Sequence, residues 1–198
     1  MTGRPILIGL TGSIGMGKST TARMFAEEGI PVWDADAAVH RLYSKGGAAV
    51  PLIAKIAPDA VVDGQVDRAI LKEMIQDRIG LLQRVESVVH PLVRQDREDF
   101  ISNASAPILL MDIPLLYETH SERQMHVVVV VSAPEEEQRA RVLARPGMTE
   151  EQFEIILKKQ LPDEQKRARA DFVIETTSLE SARKQVRQVL DTIRKGQL

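Results

Sequence analysis

Short apolar runs alternate along the chain with segments in which apolar residues recur every three or four positions. Runs at 6–10, 30–33, 108–111, 127–131 and 172–174 are unbroken enough to predict strands buried on both faces. Helical spacing marks 20–28, 135–144, 150–159 and 179–194. An alternation of this kind predicts an α/β fold, a mostly parallel five-stranded sheet flanked by helices.

The stretch between the second and third strand candidates is too long for a simple crossover and is dominated by helical patterns. It predicts a helical insertion over about 40–104 that forms one wall of a cleft. Asp63-Gly64 predicts a turn inside it, and His90-Pro91 predicts a helix break, because proline disfavours helical backbone at the preceding residue. Further on, Arg145-Pro146-Gly147 separates two helical segments, and Thr149-Glu150-Glu151-Gln152 has the form of a capping box. This second interruption predicts a helical lid over about 139–170.

Chemistry enters at the junction of the first strand and first helix. Gly12-Ser13-Ile14-Gly15-Met16-Gly17-Lys18-Ser19 follows the pattern G-x-x-x-x-G-K-[ST], in the strand-to-helix context that a phosphate-binding loop needs. Its glycines let successive N–H groups point inward as an anion nest, closed by the N-terminal end of the next helix. Lys18 is then placed for the β- and γ-phosphates, the Ser19 hydroxyl for Mg²⁺, and Thr20 for the nucleotide beside it. The loop implies a nucleoside triphosphate without choosing between ATP and GTP. Met16, a variable position of the pattern, carries no expected role.

Candidates for the rest of a site lie where the other strands end. Asp34-Ala35-Asp36 follows the second run, at the strand end where ligands of open α/β sheets bind. Asp34 suits a helix cap, which leaves Asp36 to accept a proton from an acceptor hydroxyl; a purely structural pair, cap and helix-dipole partner, is the competing reading. Asp112 ends the third run as an acid delivered toward Mg²⁺, and Leu115, Leu116 and Tyr117 after it are candidates for packing against a substrate or for ordinary core. Arg141 and Arg145, one helical turn apart, could stabilise a transferring phosphoryl group and bind the nucleotide, or be solvated surface arginines. His90 and Arg94 share another such spacing and are candidates for substrate contact, although a lone histidine is more often structural. Lys166-Arg167-Ala168-Arg169 reads most simply as a solvated helix face.

Composition narrows the class. A chain of 198 residues fits one domain, 1–198. Its 26 basic and 28 acidic residues leave a net charge of -2, which argues against a general nucleic-acid or membrane-surface binder. The absence of cysteine removes disulfides and thiolate metal sites. The longest apolar run is too short to span a bilayer, and no signal-peptide pattern precedes the first strand, so a cytoplasmic enzyme, monomeric or weakly self-associating, is expected.

Taken in order, these pieces resemble one family, dephospho-coenzyme A kinase, over nearly the whole chain. The resemblance rests on residues 9–19, Asp34-Ala35-Asp36, Asp63-Gly64-Gln65-Val66-Asp67-Arg68, Val89-His90-Pro91-Leu92-Val93, and Asp112-Ile113-Pro114-Leu115-Leu116-Tyr117-Glu118. It continues through Arg141, Arg145 and Gln160 before Ala170-Asp171; Pro146 and Glu175-Thr176 depart from the family's usual residues. The resemblance implies a P-loop NTPase fold with a helical substrate subdomain and a lid. It also implies transfer of the ATP γ-phosphoryl group to the ribose 3′-hydroxyl of dephospho-coenzyme A, with Asp36 as base, Lys18 and Arg141 stabilising the phosphoryl group, and Thr11 lining the site. Another small-molecule or nucleotide kinase of the same fold is the nearest rival. A nucleotide-dependent switch is the rival of another class, and the Asn-Lys-x-Asp motif that reads guanine in such GTPases is absent.

Overall fold

The computed structural model describes residues 4–197. From the N-terminal side, β1 (Ile6–Thr11), α1 (Lys18–Glu27) and β2 (Val32–Asp34) lead into α2 (Ala35–Tyr43) and α3 (Val50–Ile56). A hairpin of β3 (Val61–Val62) and β4 (Gln65–Val66) precedes α4 (Arg68–Asp77) and α5 (Leu81–Asn103). Then come β5 (Ile108–Asp112), β6 (Val127–Ser132), α6 (Glu135–Leu143), α7 (Glu150–Lys158), α8 (Asp163–Ala168), β7 (Phe172–Glu175) and α9 (Leu179–Arg194).

The chain divides into two compact units, Met1–Trp33 with Ser105–Leu198, and Asp34–Ala104. The first holds a five-stranded sheet in the order β2-β5-β1-β6-β7, with β1 parallel to both β5 and β6, and β6 parallel to β7. Every residue of β5 and β6 is buried, as expected for strands covered on both faces. Ile8, Leu10, Val129 and Val131 form the core with Phe25 of α1 and Val186 and Leu190 of α9. Register matters for function. Leu10 pairs with Asp112 and Thr11 with Val130, so β1, β5 and β6 finish side by side and the Gly12–Ser19 loop springs from the middle strand of this edge. The second strand starts later than its apolar run suggests, at Val32, and the carbonyl of Pro31 already accepts from Leu110 N at 2.9 Å.

The second unit begins at Asp34 rather than near residue 40, and has its own core around Tyr43, Ile53, Leu71, Met74, Val85 and Val89. Asp63 and Gly64 make the expected turn, both with positive φ (51° and 78°), the backbone a two-residue hairpin turn demands. The expected break at His90-Pro91 does not occur. Helix α5 runs through Pro91 for 23 residues. Interior proline costs roughly 3 kcal/mol, but the apolar face of Leu81, Val85 and Val89 is buried in this unit's core and carries the helix past it. No helix among the described residues is long and apolar enough to cross a membrane.

Candidate active site

The phosphate-binding loop owes its shape to glycines where no side chain fits. A Cβ on Gly12 would lie 2.7 Å from the carbonyl oxygen of Val131, and Gly17 caps α1 with φ +89°. Helix α1 therefore starts without a side-chain cap and without an acid in its first turn, which leaves its leading N–H groups and positive dipole end uncapped by any side chain. Ser19 and Thr20 are exposed in that turn. Met16 has a structural part after all. It is buried, its sulfur accepts from Ala133 N at 3.1 Å, and its carbonyl accepts from the Thr176 hydroxyl at 2.9 Å, which seats the loop against the ends of β6 and β7.

Lys18 Nζ lies 2.5 Å from Asp112 Oδ1. The lysine side chain is 16% exposed and the aspartate 4%, so the acid is presented through the lysine at the sheet edge. Thr11 is wholly buried and its hydroxyl donates to the Pro114 carbonyl at 2.9 Å. It braces the loop after β5 against β1, and its hydroxyl proton is already used. Of the three residues after Pro114 expected to meet a substrate, only Leu115 is exposed. Leu116 is fully buried and packs 3.1 Å from the Cβ position of Gly9, and Tyr117 is buried beneath Arg169, whose guanidinium carbon sits 4.2 Å from the ring centre. Burial, with the neighbouring acids Asp171 and Glu122, pushes the Tyr117 phenol up to about 12 against the opposing pull of Arg169.

Of residues 166–169, expected as a solvated face, Arg167, Ala168 and Arg169 are exposed and Lys166 is the exception. Its side chain is completely buried and Nζ lies 2.9 Å from Glu118 Oε1, an ion pair not aligned as a hydrogen bond. Glu118 Oε1 also accepts from Leu161 N at 2.8 Å. Burial would raise the Glu118 carboxyl, but Lys166 and the backbone N–H groups outweigh it and hold the acid below its ordinary value.

Arg141 is tied by its guanidinium to three acceptors: Nη1 donates to Thr176 Oγ1 at 3.0 Å, and Nη2 to the Thr176 carbonyl and to Glu137 Oε2, each at 2.6 Å. With Gly17, Thr20, Thr176, Thr177 and Ser178 it lines a cavity of about 260 Å³ along the start of α1. Thr176 is thus central to this wall, through its bonds to Arg141 and to the Met16 carbonyl. Arg145 is exposed just beyond α6, before the turn at Gly147 (φ +76°), and Thr149 and Gln152 form the expected capping box of α7.

In the Asp34–Ala104 unit, Asp34 Oδ1 caps α2, accepting from Asp36 N at 2.8 Å and Ala37 N at 3.0 Å. Asp36 is exposed in the first turn of that helix. His90 and Arg94 are both exposed on α5, one turn apart.

Residues 6–181 match the family described as dephospho-CoA kinase. A dephospho-CoA kinase of Ruegeria pomeroyi is 57% identical over 191 residues, covering 96% of this chain and 97% of the relative. A solved Thermus thermophilus protein superposes with a TM-score of 0.87 at 35% identity, covering 96% of this chain and 98% of its own. A dephospho-CoA kinase of Campylobacter jejuni has a TM-score of 0.70 at 24% identity, covering 97% and 98% respectively, a likeness of fold.

Proposed function

The chain belongs to the dephospho-CoA kinase family, the final step of coenzyme A biosynthesis, and from that premise we propose how its own residues carry the reaction. The ribose 3′-oxygen of dephospho-coenzyme A attacks the γ-phosphorus of ATP, the bond from that phosphorus to the β,γ-bridging oxygen breaks, and ADP leaves. The hydroxyl proton passes to Asp36. Of the two acids at the start of α2, Asp34 is engaged as the helix cap while Asp36 is exposed, and this favours Asp36 as the base.

The observation that carries the donor half is the pairing of Lys18 with Asp112 beside an uncapped helix start. The loop N–H groups hold the phosphates and Lys18 spreads positive charge over the γ-phosphoryl oxygens as it transfers. The donor set fits Mg²⁺: Ser19 offers an exposed hydroxyl and Asp112 a carboxylate. No cluster of three or more acids or histidines that could hold a metal occurs among the described residues. Held by Ser19 and Asp112, such an ion would supply charge neutralisation to the nucleotide phosphates.

The bonds from Arg141 to Thr176 and its position on the cavity wall favour a place beside the nucleoside of ATP. Exposed Arg145 is then the arginine that reaches the phosphoryl group when α6 and α7 act as a lid over residues of about 139–170. Exposed Leu115, His90 and Arg94 are the candidates for acceptor contact, and Thr11 acts by bracing. The test is acceptor choice. Purified protein with MgATP should release ADP much faster with dephospho-coenzyme A than with nucleoside monophosphates or shikimate; equal rates with all acceptors would reject the assignment.

A further inference from the structure

Ile14 lies inside the phosphate-binding loop, and both of its main-chain polar groups are held by side-chain amides from outside that loop. Its N–H donates to Gln160 Oε1 at 3.0 Å, and its carbonyl accepts from Gln138 Nε2 at 2.8 Å. Gln138 belongs to α6 and is 4% exposed; Gln160 comes just after α7. The α6–α7 hairpin is therefore anchored at both of its ends to one residue of the loop.

The contact is built closely on the α6 side. A Cβ on Gly15 would lie 3.0 Å from the Gln138 carbonyl and 2.5 Å from Val142 Cγ2, so glycine lets the loop rest on the helix. The other anchor is itself fixed, because Leu161, next to Gln160, donates to Glu118, and Glu118 pairs with buried Lys166. Beside these amides lies a cavity of about 310 Å³ lined by Ser13, Leu157 and Asp163 as well as both glutamines. The hairpin thus meets the loop through the two amide hydrogen bonds together with the close apposition of Gly15 and Val142.

We propose that Gln138 and Gln160 are positioning residues that pin the two peptide planes flanking Ile14 and so preset the loop for ATP phosphates. The N–H of Ile14 belongs to the peptide shared with Ser13, and its carbonyl to the peptide shared with Gly15. One plane is held by an acceptor and the other by a donor, which opposes rotation of either. A nest of inward-pointing N–H groups is a set of like dipoles, and it gains affinity for phosphate when its geometry is fixed before the ligand arrives. The same anchors couple the loop to the hairpin, because movement of α6 and α7 acts on Ile14 from both sides.

This inference rests on reading the loop as the ATP site, and the experiment separates the two. Wild-type protein is assayed first for ADP release with dephospho-coenzyme A; failure there defeats the functional reading, whatever the glutamines do. In active protein, the same substitution has opposite consequences at the two positions. Gln160→Glu keeps an acceptor for Ile14 N–H and should hold the KM for ATP within about threefold of wild type. Gln138→Glu replaces the donor with an acceptor facing the Ile14 carbonyl and should raise it roughly tenfold. Gln160→Met and Gln138→Met, which remove the bonds without adding charge, should each raise the KM for ATP roughly tenfold with the KM for dephospho-coenzyme A unchanged. Because both act through Ile14, the double Met variant should show less than the product of the single effects. The proposal is overturned if the two Glu variants behave alike, if the Met variants lower melting temperature while the KM for ATP stays at the wild-type value, or if the double variant multiplies.

Discussion

Lys18 Nζ and Asp112 Oδ1 lie 2.5 Å apart, linking the first residue of α1 to the last of β5. The Leu10–Asp112 register makes the contact possible, because it ends β5 level with the strand that feeds the phosphate loop. Asp112→Asn keeps an oxygen toward Lys18 and removes the charge offered to a cation. If Asp112 supports the metal, the Mg²⁺ concentration for half-maximal ADP release should rise roughly 10–100-fold. A magnesium titration at saturating ATP checks this, and an unchanged midpoint would leave Asp112 as a partner of Lys18 alone.

Asp36→Asn preserves shape and removes the proton acceptor. Turnover should fall by roughly 10²–10⁴-fold, while thermal protection by MgATP is retained, since ATP that prefers the folded chain still raises its melting temperature. Rates and thermal shifts on one preparation decide it; wild-type turnover would remove Asp36 from the base role.

Arg141→Ala frees Thr176 and opens the cavity wall beside α1. With the guanidinium holding the nucleoside, the KM for ATP should rise by more than kcat falls. Arg145→Ala should do the reverse, with kcat taking the larger loss. Steady-state kinetics on the pair gives the answer, and a pure kcat defect in Arg141→Ala would return it to the phosphoryl group.

The Glu118–Lys166 pair makes stability depend on acid. A carboxyl held below its ordinary value stabilises the fold above that value, about 4.3 for glutamate, and the contribution is lost as pH falls through the lower folded-state value. Lys166→Met leaves Glu118 partly buried without its cation, at a cost of up to about 3–5 kcal/mol near neutrality. Urea unfolding should show the gap between variant and wild type narrowing from pH 5 toward pH 3. A constant gap would mean that Lys166 contributes by packing alone.

Where a feature depends on neighbours along the chain, it was legible in the residues. The phosphate loop, the Asp34 cap, the Asp63–Gly64 turn and the capping box at Thr149 all depend on backbone conformations or hydrogen bonds spanning a few positions. Legibility failed where distant partners decide. Pro91 reads locally as a break, yet the buried face of α5 carries the helix past it. Lys166 has the neighbours of a surface lysine, and only the approach of Glu118 from the loop after β5 reveals a buried charge. Leu116 and Tyr117 look suited to a substrate because an apolar run carries no sign of which way it faces.

The amino-acid order by itself determined a triphosphate-binding loop between a buried strand and a helix, the α/β alternation around it, and the family to which the ordered motifs belong. The loop and the alternation follow from local sterics and from the period of apolar residues; the family follows from the resemblance that the ordered motifs carry. Tertiary structure alone decided that Asp112 meets Lys18, that Arg141 is bound to Thr176, and that Gln138 and Gln160 take the two polar groups of Ile14. Strand register and helix packing bring these side chains together, and a polar group separated by many residues from its partner leaves no periodic trace in the chain.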